Sequence, residues 1–342
     1  MTPNHNRCPV CGTQAPADIL RTPNCPSCGT KYAFVEYFAG LDAFDAWKKL
    51  ITEAWRNQQV QKLDVFRNRA RLIVGPEYLA FHDTAKGNLT IIDRFGHVRK
   101  ENNVRDYSVS NMRQVILSTT GTVSVTGNTD GGHYRANGIS GIRAVLAAAT
   151  CTHLVDEQGR VSSYGTCEFR QQLEQWRGIR QLACDNSHMV GLTASGTVVQ
   201  CFGNDSGRNS AETAGWKNIT NIAAASGYTL ALNKDGQVFY AGPNENMRRE
   251  IAAWRNITAI AADSQYAIGL TKDGKVLMSG ECISFLDGGR SDARNWTNIA
   301  CIAAGHSVIS AVTNTGELLI AGCFVRSQTV IDTFRKNSPT DL

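Results

Sequence analysis

The 342-residue chain contains no run of about 18 apolar residues, which excludes a membrane-spanning helix. Its opening, MTPNHNRCPVCG, has no apolar stretch behind a basic one, so no secretory leader is read there and a cytoplasmic protein is expected. No GxSxG, HExxH or GxxxxGKS/T sequence occurs, which removes the common signatures of α/β-hydrolases, zinc peptidases and phosphate-binding loops. The histidines His5, His82, His97, His133, His153, His188 and His306 are scattered. No nucleophile–base pair is legible among them, and His188 reads as a packed side chain. The chain is therefore expected not to be an enzyme, and no small-molecule substrate is implied. Charge of one sign is also not concentrated. Lysine plus arginine against aspartate plus glutamate is 9 to 6 over residues 1–70 and 26 to 24 over 71–342. A nucleic-acid binder usually carries a concentrated basic patch or stripe, which the longer part lacks.

Cysteine, by contrast, is plentiful at 11 residues. A disulfide framework belongs to short secreted chains, so some of these residues are expected to bind metal and the rest to be small buried apolar groups. The sequences Cys8-Pro-Val-Cys11-Gly and Cys25-Pro-Ser-Cys28-Gly have the spacing of a four-cysteine zinc site. Each pair turns two sulfurs toward one ion, and Gly12 and Gly29 let backbone N–H groups face those sulfurs. The pattern resembles a zinc ribbon over residues 1–34. It implies one structural Zn2+ held by Cys8, Cys11, Cys25 and Cys28, with free or redox thiols as the alternative.

Residues 35–70 read as a helical connector. Leu41, Phe44, Trp47, Ile51, Ala54 and Trp55 recur at three- and four-residue steps, which is one apolar stripe. Asp42 and Asp45 stand in the first turn, where the helix dipole favours acids. The stripe is expected to pack the connector on its neighbouring domain, with a partner-binding face built on Trp47 and Trp55 as the alternative.

Residues 71–342 are repetitive. Turn glycines stand at Gly87, Gly121, Gly159, Gly196, Gly236, Gly274 and Gly316, giving seven units with a period near 38. Twenty residues before the last four come Trp176, Trp216, Trp254 and Trp296, and three after each Trp come Ile179, Ile219, Ile257 and Ile299. Each unit holds three strand-length apolar runs, as in ITAIAA, YAIGL and KVLMSG, with the hairpin signal Lys272-Asp273-Gly274 between the last two. A period of 38 also fits paired-helix solenoids. The short runs, fixed hairpin glycines and β-branched content favour β. Runs such as IAAAS and IAAD suit strands crowded around a central axis, with isoleucine and tryptophan filling the space between blades. The expected fold is mainly β: a seven-bladed β-propeller preceded by a small zinc ribbon and a connector α-helix. Residues 324–342 are a candidate for closing the ring on the first blade.

The pattern W-x-x-I-x-x-I-A-A, a hairpin at xDG, and a strand ending in Gly or Gly-Asn (Gly127-Asn128, Gly203-Asn204) resembles the regulator of chromosome condensation repeat. The short period is closer to the compact bacterial type, similar to beta-lactamase inhibitory protein II, than to the longer eukaryotic repeat. The resemblance implies a seven-bladed propeller and, by analogy alone, nucleotide exchange on a small GTPase. The Gly-Gln-Leu-Gly ending of the eukaryotic form is absent from every unit, which speaks against that transfer.

Between a blade-ending glycine and the next unit the repetition stops: NTDGGHYRANGI, TCEFRQQLEQW, NDSGRNSAETAGW, PNENMRREIAAW and ECISFLDGGRSDARNW. These varied segments are expected to project on one face of the ring and bind a protein partner, with Arg208, Arg248, Arg249, Arg290 and Arg294 giving that face a positive character. Nucleic-acid binding through residues 1–70 (Arg7, Arg21, Lys31, Lys48, Lys49) is the alternative. Cys167, Cys282 and Cys323 follow blade-ending glycines. A second metal site at that end of the ring is weighed there against free thiols. The oxygen-rich stretches 128–132 and 204–207 lack calcium-loop spacing and read as turns.

Overall fold

The computed structural model describes Ser27 and residues 70–322, except 76–77, 94–97, 111–112, 186–187, 203–209, 226, 265, 281–289, 306–307 and 315–317. The cysteine pairs Cys8/Cys11 and Cys25/Cys28, residues 35–69 of the expected connector helix and the tail 323–342 lie outside the described residues.

Seven antiparallel sheets follow one another along the chain, none sharing a strand with another. Blade 1 has four strands: Ala70–Val74, Tyr78–Asp83, Asn88–Asp93 and Val98–Glu101. Among the described residues the other six have three each, inner, middle and outer. These are Val104–Ser110, Arg113–Ser118 and Val123–Gly127 in blade 2, and Ile142–Ala147, Cys151–Asp156 and Val161–Gly165 in blade 3. Blade 4 has Ile179–Cys184, His188–Thr193 and Val198–Phe202, and blade 5 has Ile219–Ala225, Tyr228–Asn233 and Val238–Ala241. Blade 6 has Ile257–Asp263, Tyr266–Thr271 and Val276–Gly280, and blade 7 has Ile299–Gly305, Val308–Thr313 and Leu318–Gly322. The inner strands stand side by side in a ring, and that of blade 7 meets that of blade 1. Small residues crowd the axis as expected: Ala183, Ala223, Ala224, Ala261, Ala262, Ala303 and Ala304 line a central channel of about 720 Å³.

The hairpin glycines do two jobs. Gly87, Gly121, Gly159, Gly196, Gly236 and Gly274 take φ between 68° and 81°, which only glycine adopts freely. Each carbonyl also accepts the N–H of the first inner-strand residue of the next blade, at 3.0 Å for Ile179 N to Gly159 O and for Ile257 N to Gly236 O. Just before that residue the chain again needs positive φ, and it has Asn103, Gly141, Gly178, Asn218, Asn256 or Asn298 there. Asparagine and glycine are the residues that tolerate this region best. These hydrogen bonds rivet blade to blade at one end of the ring.

Apolar clusters fill the seams between blades. Between blades 5 and 6, Tyr228, Leu230 and Tyr240 meet Trp254, Ile257 and Ile260. Between blades 4 and 5, Val190, Leu192 and Val198 meet Trp216, Ile219 and Ile222. Isoleucine and tryptophan thus occupy the places the repeat predicts.

Strand parity sets the connector lengths. A four-stranded meander ends at the same end of the blade where the next inner strand begins, and blade 1 needs only residues 102–103 to reach blade 2. A three-stranded meander ends at the opposite end, so the chain must climb the height of the blade. These crossings take from 13 residues (166–178) to 18 (281–298). The missing tryptophan ahead of blade 2 follows directly, because there is no crossing for it to end. Ahead of blade 3, Ile139 stands at the tryptophan position and packs into the seam.

Buried histidine adds an acid sensitivity. His82 is fully buried, and its Nε2 lies 3.0 Å from the Val104 carbonyl, joining blade 1 to blade 2. Burial pushes its pKa below the usual 6.5, helped by Arg71 and opposed by the Val104 hydrogen bond and by Asp106 and Asp83. As the pH falls through about 6.5 the unfolded chain takes up this proton more readily than the folded one. Stability is therefore full above about pH 6.5 and falls as the pH drops below it. His82→Gln keeps a donor for Val104 and removes the titration. Urea midpoints at about pH 7.5 and 5.5 are expected to show a slope smaller by up to about 1.4 kcal/mol per pH unit.

Candidate functional site

The described helices of the crossings do not project as loops on one face of the ring. Because each must climb a blade, it runs along the rim and packs a short helix against outer strands: Asp130–Ala136 and Arg290–Asn295 each touch two blades, as does Glu245–Ala252. The last is a well-formed helix. The Asn244 side chain accepts hydrogen bonds from Asn246 N and Met247 N, a standard N-cap. Met247 and Ile251, four residues apart, are buried in the seam. PNENMRREIAA is thus a wedge between blades before it is a binding loop.

Its two arginines divide the work. Arg248 donates to the carbonyls of Tyr240 and Gly242, pairs with Glu245 at 3.1 Å and lies over the Tyr240 ring at 5.4 Å. Arg170 does the same in blade 3, donating to Ser163 O and Gly165 O. Both stand six residues before a Trp and hold a blade-ending glycine, and Arg290 occupies the same column ahead of Trp296. Arg248 therefore clamps its own blade. Arg249 is exposed, with Nη2 on Asn246 Oδ1 at 2.6 Å, and Arg294 is exposed on the last crossing. Arg208 and the Arg290 side chain lie outside the described residues. The sequence did not single out Tyr134, which is 59% exposed on the 130–136 segment. The Arg135 guanidinium stands 5.8 Å from its ring centre. A tyrosine next to an arginine in a segment where the repetition stops was the available signal.

A second constellation lies at the outer part of blade 3. Cys151 and His153 alternate on the middle strand, so their side chains share a face. The outer strand pairs Gly165 with Cys151 and Ser163 with His153, which returns Cys167 to the same place. One ligand atom from each of Cys151, His153 and Cys167 lies within 4.8 Å of the others. Ser163 Oγ is 2.8 Å from His153 Nδ1, and Cys151 Sγ donates to Thr166 O at 2.7 Å. Arg113 reaches the Cys151 carbonyl at 3.0 Å. The neighbouring Cys151 thiol makes Cys167 the more acidic of the two, against the opposing effect of burial, with Ser163, the Phe169 backbone and Arg170 also lowering it. Burial pushes His153 down to about 4. Cys184 and Cys201 pack nearby in the seam, each pushed up to about 12 by burial, as is Cys301 in blade 7. Cys282 and Cys323, grouped with Cys167 by sequence, lie outside the described residues. His188 is a packed histidine: fully buried, stacked on Phe202 at 5.3 Å and 3.0 Å from Thr229 Oγ1.

Seven sheets around one axis define the class, a β-propeller. Among solved structures the fold is similar to the CRINKLY WD40 ectodomain of the Arabidopsis thaliana receptor kinase ACR4, with TM-score 0.51 and 16% identity, covering 66% of this chain and 82% of that one. It is similar also to yeast RCC1 (Prp20), solved with Kap60 bound, with TM-score 0.50 and 17% identity, covering 64% and 70%. No family model matches the sequence, and no curated protein does. At such identities the likeness is one of fold, and at that level it agrees with the repeat resemblance.

Proposed function

We propose that the propeller is a scaffold for a protein partner and that its rim crossings carry the contact surface. Tyr134 carries this reading: a large aromatic side chain that stays 59% exposed, with an arginine beside its ring. Tyrosine and arginine are the side chains most enriched among interface anchors. Arg249 and Arg294 extend the same chemistry to the crossings between blades 5 and 6 and between 6 and 7. The similarly folded yeast RCC1 was solved with a protein, Kap60, bound to it. On this reading the chain is a non-enzymatic cytoplasmic adaptor, and Cys8, Cys11, Cys25 and Cys28 hold one structural Zn2+ in a ribbon.

The test is capture of partners on the immobilised full chain, compared with Tyr134→Ala/Arg135→Ala and Arg249→Glu/Arg294→Glu variants of unchanged melting temperature. At least one captured protein is expected to be lost with one of the pairs. Retention of every captured protein by both variants would remove the rim from consideration. Release of everything by nuclease would favour nucleic-acid binding through residues 1–70 instead.

A further inference from the structure

We propose that Cys151, His153 and Cys167 form a binding site for a thiophilic divalent cation of the zinc class, separate from the N-terminal cysteine pairs. Two sulfurs and an imidazole nitrogen within 4.8 Å of one another can converge on one ion with small adjustments, given Zn–S and Zn–N bonds of about 2.3 and 2.0 Å. The donor set selects the ion. Soft sulfur with imidazole suits Zn2+ and excludes Ca2+ and Mg2+, which take oxygen ligands.

The surroundings are those of a built site. Cys151 and His153 are 3% and 1% exposed, so their positions are fixed by packing, while half-buried Cys167 leaves a way in. Ser163 holds the His153 ring at Nδ1, the kind of second contact that orients a ligating imidazole. Arg170 ties down the carbonyls of Ser163 and Gly165, which fixes the strand end that brings Cys167 over Cys151. Binding replaces two thiol protons with one divalent ion: the protons leave to solvent and the paired thiolates neutralise the cation. Three protein ligands leave a fourth position for water or a partner's side chain. A pair of cysteines alone would serve equally well as a redox couple. The histidine held by its serine is what favours metal.

The full chain is loaded with Zn2+, freed of excess and titrated with a chromophoric chelator, and the loading is repeated with Co2+. Two competed equivalents are expected, with sulfur-to-cobalt charge-transfer absorption. The Cys8→Ser/Cys25→Ser chain is expected to keep one equivalent, and adding Cys167→Ser or His153→Ala is expected to weaken it at least 10- to 100-fold. Cys301→Ser, a buried cysteine elsewhere, is expected to change nothing. Three outcomes would overturn the proposal: a metal-free Cys8→Ser/Cys25→Ser chain whose Cys151 and Cys167 still react with thiol reagents, a Cys151–Cys167 disulfide found in place of metal, or loading indifferent to Cys167→Ser and His153→Ala.

Discussion

Gly159→Ala is expected to lower the free energy of unfolding by about 2–5 kcal/mol. Two independent terms make up that loss. At φ +75° an L side chain is strained, which costs about 1–2 kcal/mol. The new methyl would also stand 2.5 Å from Ile179 N and 2.6 Å from Gly178 Cα. Those are backbone atoms of the next blade and cannot swing aside, so the seam must open, at a further cost of about 1–3 kcal/mol. Gly138→Ala separates the terms. Its φ is +80° with nothing within 4 Å of the added carbon, so only the conformational cost of about 1–2 kcal/mol is expected. Urea unfolding of the two variants measures the difference. Equal losses would mean that the blade-to-blade approach contributes nothing.

Trp254→Ala is expected to cost about 3–5 kcal/mol, the range for truncating a buried aromatic side chain. The indole is 6% exposed in the seam between blades 5 and 6, and it lies on bare backbone. A carbon added at Gly269 would come within 2.8 Å of it. The same pairing, fifteen residues apart, recurs at Trp176 over Gly191, and the seams beside Trp216 and Trp296 hold Ala231 and Ala311 at that offset. Trp254→Phe leaves most of the apolar contact and is expected to cost less than half as much. Chemical unfolding of both variants checks the ordering.

The architecture was legible because it is written repeatedly. Positive φ, close backbone approach and crowding at an axis each demand glycine, asparagine or alanine, and those demands recur every unit until they stand out as columns. The path of the crossings was not legible. The period does not report strand parity, and an odd number of strands is what moves these segments from a face to the rim. Arg248 looked like a variable loop residue until its register with Arg170 showed a clamp. The cluster at blade 3 was half visible. Cys167 was noticed for its place after Gly165, but Cys151 and His153 lie on an earlier strand and reach it only through antiparallel pairing. No local spacing encodes that convergence.

Among the described residues every blade is one contiguous stretch of chain, and blades 7 and 1 meet through their inner strands, with no sheet there drawing strands from both. A gene segment of about one period therefore carries a complete building block, and unequal recombination can copy or exchange it without orphaning a strand. The shared lettering of 216–242 and 254–280, identical at 15 of 27 positions, fits such copying. For the same reason a circular permutant opened within the crossing 166–178 would begin at one whole blade and finish at another.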